Sequence, residues 1–431
     1  MAPRGRPRWL WPGLLAMLTV ALVCAPQQRS DLDASFHVTG ADVAASALIA
    51  VALFAAIRDR RRLPRRLRVL ALPAVAIAAA TIAAVDPAAG LSGVVRYLEI
   101  FVLVPLAVTI AVRDELDRRL IAGSVLCAAV LQAALGCWQA WSGTGASYDG
   151  QPIRAVGTFG AVDVMGMATV VSYGIIVALA FALHTRGRGR YVALGLLALL
   201  ATALVLSLSR GSWLATFAAC AVMVLLSGRR KVLAVAGAGA LAAVLVLGGG
   251  LGSDMIKQRF ASITAVSSTP DQSVNDRYGL WETATGMWAD HPLLGVGPRG
   301  FVSFRDRYAP LQVSAASDTS DPVNGFQREE LRSPHNMYLL VLSEQGLVGL
   351  LAFVLMWGAL AVWSAWRVRR ARSRADRMAG LFAAGWLTWQ LTDFLYADIG
   401  GAPTVIMSIM LGLTVSWAVR ARPGLREAPA V

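Results

Sequence analysis

Apolar residues run in long blocks along most of this chain, and polar residues are confined to the short gaps between them. A helix needs about 20 apolar residues to cross the hydrocarbon layer of a bilayer. Twelve blocks approach that length: 9–26, 41–57, 69–85, 94–112, 120–141, 161–183, 191–208, 212–227, 232–251, 335–361, 378–395 and 402–419. They predict an all-α, polytopic integral membrane protein of about twelve transmembrane helices. The shorter blocks leave an interfacial or re-entrant placement open. The first block has the basic start of a signal peptide, but no clear small-x-small cleavage site follows, so it is read as a span. The chain then divides into nine spans (1–251), one long polar loop with short helices (252–333), three spans (334–419) and a tail (420–431).

Composition agrees with this division. The 431 residues are 56% hydrophobic and only 15% charged, with a mean hydropathy of +0.58. That excludes a disordered chain and weighs against a soluble enzyme. The net charge of +14 would suggest nucleic acid in a soluble protein. Its distribution excludes that partner. The gaps 1–8, 58–68, 113–119, 184–190, 228–231, 366–377 and 420–431 hold 28 of the 40 basic residues with 6 acidic ones, or +22. The remaining 12 basic and 20 acidic residues carry −8. Alternate gaps are thus basic without exception, which predicts cytoplasmic N- and C-termini. The four cysteines, Cys24, Cys127, Cys137 and Cys220, fall inside spans without metal-ligand spacing.

Chemistry is expected on the outer side, where the long loop lies. Ser273 and Asn275 are candidate N-caps there, with Asp276 placed for a capping box from Ser273. Tyr278, Trp281, Ala284, Thr285 and Trp288 follow at helical spacing, which suits either an interfacial helix or one packed on the spans. The segment His291-Pro292-Leu293-Leu294-Gly295-Val296-Gly297-Pro298-Arg299-Gly300-Phe301 then breaks the helix and turns tightly. Ser333-Pro334-His335 reads as a helix start that places His335 in the first turn of span ten, where the positive helix end favours neutral imidazole. A lone histidine there is either a structural hydrogen-bonder or a base.

Few basic residues lie outside. Arg154 precedes span six, and Arg210 occupies the short turn Ser209-Arg210-Gly211, where a guanidinium fork suits phosphate. Arg96 is near enough to Glu99 to pair with it. Arg277, Arg299, Arg305 and Arg307 are expected to be solvated or ion-paired. Glu344 lies within span ten, nine residues from His335 and so on the opposite helix face, which suggests that it pairs elsewhere or locks the fold. Gly346 and Gly349 suit close helix packing. Asp163, Asp393 and Asp398 have no assigned part.

Four motifs carry a resemblance to a family. They are Arg154 to Gly160; Ser207-Leu208-Ser209-Arg210-Gly211; Arg277 through the His-Pro-Leu-Leu-Gly-Val-Gly run to Phe301; and His335-Asn336 with Glu344, Gly346 and Gly349. In this order over roughly residues 90–360, the chain resembles the O-antigen ligase and polymerase superfamily of membrane glycosyltransferases. Family proteins often carry an Asn after the Gly-Thr-Phe segment, and here Asp163 is the nearest residue. The resemblance implies metal-independent, inverting transfer with no cofactor. The donor would be an undecaprenyl-diphosphate-linked glycan and the acceptor a glycan, lipid or protein. Arg154 and Arg210 would hold the donor diphosphate, with Arg96 or Arg277 assisting, and His335 would orient or deprotonate the acceptor hydroxyl. Two further classes stay open: a secondary transporter, with Glu344 and Asp393 as its charged residues, and an inactive structural member of an envelope assembly.

Overall fold

A computed structural model of the chain describes residues 12–26, 39–84, 86–146, 154–160, 163, 165–228, 272–310, 313, 316–321, 325–401 and 403–419. The expected span at 232–251, the first part of the polar loop (252–271) and the tail lie outside these residues. Eleven of the twelve expected spans have helical counterparts. They are α1 (Gly13–Val23), α2 (Gly40–Arg58), α3 (Ala71–Ala80, entered through a 3-10 turn at Arg65–Leu70), α4 with α5 (Pro87–Leu98, Val104–Ala111), α6 (Glu115–Ser142), α7 (Gly166–Ala182), α8 (Arg188–Leu206) and α9 (Arg210–Ser227). After the loop come α12 (Met337–Arg369), α13 (Arg374–Asp393) and α14 (Pro403–Ala418). Among the described residues, seven helices are long and apolar enough to cross a membrane, and three shorter apolar ones accompany them.

Local chemistry explains several boundaries. Thr39 and Asp42 form a reciprocal capping box at the start of α2. Asp114 caps α6, which ends at Gly143 in the left-handed region (φ 72°). The π turn Glu99–Leu103 joins α4 to α5 just before Pro105, whose ring would crowd a regular helix at that point.

The connections at 58–68, 113–114 and 370–373 meet at one end of the bundle. There Arg61 donates to the Ile110 carbonyl (3.0 Å), Arg367 donates to the Trp417 carbonyl, and the Trp417 indole donates to Asp376 (3.0 Å). The polar loop lies at the other end. Helix α14 is buried along its whole length, as expected of a helix that is apolar all round and central to its bundle. Beside it Phe353, Trp357, Trp386 and Phe394 form a stack of rings, with Trp357 and Phe394 centroids 5.3 Å apart in an edge contact.

Within the loop, α10 (Gln272–Asp290) and α11 (Gly300–Tyr308) are followed by an antiparallel hairpin, β1 (Ala316–Asp321) and β2 (Gly325–Glu330), with Ala316 opposite Glu330. The hairpin was not expected. Its strands are largely polar, and ladder hydrogen bonds between backbones need no apolar pattern. Helix α10 begins by Gln272, so Ser273 and Asn275 lie inside it and are not its caps. Its buried face is Leu280, Thr283, Ala284 and Met287, which packs it on α12. The end of α10 is tied to α11 by Tyr308 donating to Asp290 (2.7 Å), and that bond holds the Tyr308 hydroxyl above its ordinary pKa.

Candidate functional site

Three segments converge at the loop end around the turn after α13, residues 394–401. The Met337 amide donates to the carbonyls of Phe394 (2.9 Å) and Ala397 (3.1 Å), and the Asn336 side chain donates to Leu395 (3.3 Å). Gly211 lies beside the Tyr396 side chain, where a Cβ would make ordinary van der Waals contact at 3.4 Å. Gly401 lies against the Asp163 carboxylate. Ser209 contacts Met165 (3.3 Å). The turn therefore touches the segments that carry His335, Arg210 and Asp163.

His335 precedes its helix. The cap is Asn336, whose Oδ1 accepts from the amides of Tyr338 (3.0 Å) and Leu339 (3.1 Å), so α12 starts at Met337. The expected first-turn placement is corrected. A Ser-Pro start signal is local, and here two cap bonds and the pairing of Met337 with residues 394 and 397 outweigh it. His335 adopts φ 49°, a left-handed conformation uncommon for a residue with a side chain. Bonds on either side hold it: the Trp281 indole donates to the Pro334 carbonyl (3.0 Å), and Asn336 is fixed as above.

Arg210 is the first residue of α9, behind Ser209, whose hydroxyl accepts from the Ser212 amide (3.4 Å). Leu208, at φ 52°, makes the turn from α8. A cation in a first turn opposes the helix macrodipole. Both the guanidinium and the positive end of the helix are therefore suited to an anion.

Arg154 leads a segment braced against α6 and α8. It pairs with Ala146 through two backbone bonds (2.7 and 3.0 Å), and Ala155 donates to Leu206 (3.1 Å), one residue before the Ser207–Gly211 turn. Gln139 and Gln132 on α6 bind the backbone of residues 156–158. Sequence reasoning passed over both glutamines, although two amides seven residues apart in an apolar span are a readable signal: such groups need partners in a membrane.

Arg277 on α10 interacts electrostatically with Asp393, which is buried at the end of α13, and Asp398 interacts with both Asp393 and Glu344. Asp393 and Asp398, which have no part in the sequence reading, are thereby brought to the same end as Arg277. The helix bearing Asp393 is anchored by Tyr173 donating to Gln390 (2.6 Å) and by Trp389 donating to Thr216 (3.0 Å).

Arg96 is held in an ion-paired cluster. Its guanidinium pairs with Asp42 (2.6 Å) and Glu99 (3.0 Å), a triad that ties α2 to α4. The Glu99 pairing anticipated from sequence is present, and Asp42 is added by the fold. With two carboxylates already on it, Arg96 is poorly placed to assist a diphosphate. Arg96→Met should leave substrate turnover near the wild-type level and lower stability by about 1 kcal/mol or less, as for a partly exposed pair, in a thermal melt of detergent-solubilised protein. Arg299 and Arg305 are not simply solvated: Arg299 donates to Ser92 (2.9 Å), and Arg305 donates to the Leu331 carbonyl (2.8 Å) while pairing with Asp306 (3.0 Å).

Glu344 locks the fold. Its Oε1 accepts from the Phe301 amide (3.3 Å) at the start of α11. The helical face on which it was placed does not extend from His335, because α12 begins at Met337 and breaks at Gly346 (φ 62°, ψ −162°). The segment 292–297 fills the break. Val296 and Gly297 donate to the carbonyls of Ser343 (2.9 Å) and Glu344 (3.0 Å), while Leu347 and Val348 donate to those of Pro292 (2.9 Å) and Leu293 (3.2 Å). Gly346 thus admits a crossing strand of backbone, a different use from the helix packing expected of Gly346 and Gly349.

The described residues have the apolar helices of a polytopic membrane protein, and Arg210, Arg277 and His335 lie on segments at its loop end. Residues 195–354 match the family described as O-antigen ligase. The match spans the Arg210 turn, Arg277, the glycine-rich segment, His335 and Glu344, so over this segment the chain is similar to that family. No curated protein matches the sequence.

Proposed function

We propose that the protein transfers a glycan from undecaprenyl diphosphate to an acceptor hydroxyl at the loop end of the bundle, which faces away from the cytoplasm of a bacterial inner membrane. The observation that carries this reading is the convergence of the Arg210 turn and the His335 segment on residues 394–401, both inside the matched family segment. Arg210 binds the donor diphosphate, with Arg154 and Arg277 as further cations. His335 takes the proton of the acceptor hydroxyl as its oxygen bonds to the anomeric carbon. The bond from that carbon to the diphosphate oxygen breaks, and the lipid diphosphate leaves with the electron pair. Arginines near that oxygen stabilise the charge that grows on it, and such groups act most strongly where water is excluded. Direct displacement inverts the anomeric centre, and neither a metal ion nor a cofactor takes part. The +22 balance of the opposite gaps supports the orientation.

A broken helix such as α12 is a feature that carriers use to hold solutes. In this protein the backbone groups flanking the break are bonded to residues 292–297, which favours transfer over transport. The test is reconstitution of the purified protein in liposomes with a polyprenyl-diphosphate-linked oligosaccharide. The expected result is loss of the lipid-linked glycan with release of polyprenyl diphosphate. Full recovery of the donor with each acceptor class (glycan, lipid A-type lipid and protein) would overturn the reading.

A further inference from the structure

The backbone that follows Arg154 has an unusual set of partners. Six consecutive amides are satisfied: Arg154 by Ala146 (2.7 Å), Ala155 by Leu206 (3.1 Å), Val156 and Gly157 by Gln139 Oε1 (3.1 and 2.8 Å), Thr158 by Gln132 Oε1 (2.9 Å) and Phe159 by Val156 (3.3 Å). Two side chains of α6 therefore take three of the six. Each also donates in return, Gln139 Nε2 to the Gly157 carbonyl (2.8 Å) and Gln132 Nε2 to the Thr158 hydroxyl (2.6 Å). Seven residues is two turns of helix, so both amides stand on one face. Gln132 is only 1% exposed. Each primary amide offers the same donor and acceptor pair as a peptide group, so together they act like a short strand paired with residues 156–158.

This arrangement immobilises an irregular segment without giving it secondary structure of its own. One end of the brace is Arg154; the other, through the Ala155–Leu206 bond, is the last residue of α8, directly before Ser207-Leu208-Ser209-Arg210. Loss of the glutamines would free the backbone between two arginines. We propose that Gln132 and Gln139 are positioning residues that set the spacing of Arg154 and Arg210 for one lipid-linked diphosphate. The inference rests on the reading of those two arginines as diphosphate ligands. Two guanidinium groups recognise a diphosphate well only at a defined separation, because each fork must meet its own phosphate.

The test is binding of undecaprenyl diphosphate to the full-length protein purified in detergent. Arg154→Ala should weaken binding about tenfold, the usual loss for a hydrogen bond to a charged group. Gln139→Met should weaken it by a similar factor, and the double variant should bind no worse than Arg154→Ala alone, since the glutamine acts through the arginine. Gln139→Glu supplies a readout that a folding role would not give. Protonated glutamic acid carries the same donor and acceptor as glutamine, whereas its anion cannot donate to Gly157. Its affinity relative to wild type, measured at each pH, should recover as pH falls; that of Gln139→Met should not. If Gln139→Met does not fold, Gln139→Glu at low pH still decides the matter. Independent losses in the double variant, or normal binding by Gln139→Met beside weakened Arg154→Ala, would overturn the inference alone. Unchanged binding by Arg154→Ala overturns the role given to Arg154, and the inference with it.

Discussion

Arg210→Ala is expected to abolish glycan transfer, lowering the rate about 100-fold or more, the usual loss when a group that stabilises developing charge is removed. His335→Ala should fall into the same range, as for loss of a general base. Both residues lie on segments whose backbones are held independently of their side chains. Ser209 caps α9, and Asn336 caps α12, so neither substitution removes a helix start. The variants should therefore reach the membrane in normal amounts and melt near the wild-type temperature. The two losses should also differ in kind. Arg210→Ala should weaken binding of the donor diphosphate as well as the rate. His335→Ala should act on the rate and leave donor binding intact, because its partner is the acceptor. Release of polyprenyl diphosphate from a defined donor measures the first quantity, and equilibrium binding measures the second. Near-normal turnover in either folded variant would mean that the site has been misassigned.

The second large effect concerns stability. Gly346→Ala should destabilise the protein by about 3 kcal/mol or more, seen as a fall in thermal midpoint or in yield of monodisperse protein. Gly346 sits at φ 62° and ψ −162°, a combination open to glycine and essentially closed to other residues. A Cβ there would collide with the Leu293 carbonyl group, and one at Gly295 would collide with the Ser343 carbonyl. Neither neighbour is a flexible side-chain end; both are backbone. Closing the contact would expel residues 292–297 from the break and leave the bonds at Ser343, Glu344, Leu347 and Val348 unmade in a largely water-free region, where each is costly. Gly358 provides the internal control. It lies in the same helix with open space where a Cβ would go, so Gly358→Ala should be tolerated.

The contrast between these glycines shows where sequence reading stops. Gly346 and Gly358 look alike in an apolar run, and the reading assigned Gly346 to helix packing. Its left-handed conformation depends on a strand of backbone some fifty residues earlier in the chain, which no local pattern specifies. The start of α12 is a similar case. Ser333-Pro334 is a sound local signal, yet the helix begins at Met337 because Asn336 and residues 394–397 offer more bonds. Arg96 and Glu99 were readable as a pair at i and i+3, and Asp42 was not, because 54 residues separate it from its partner.

The sequence by itself determined the apolar helices of the described residues, the alternation of basic connections and the motifs that carry the family resemblance. These follow from the cost of exposing polar groups to lipid and from the sign of loop charges, both of which act locally along the chain. Only the tertiary structure decided which candidates meet. It drew the segments of His335 and Arg210 together at residues 394–401, bound Arg96 to two carboxylates, turned Glu344 into a cap for α11 and recruited Gln132 and Gln139 to brace the Arg154 segment. Each of these is a pairing between groups far apart in the chain, and its partner is set by how the helices pack.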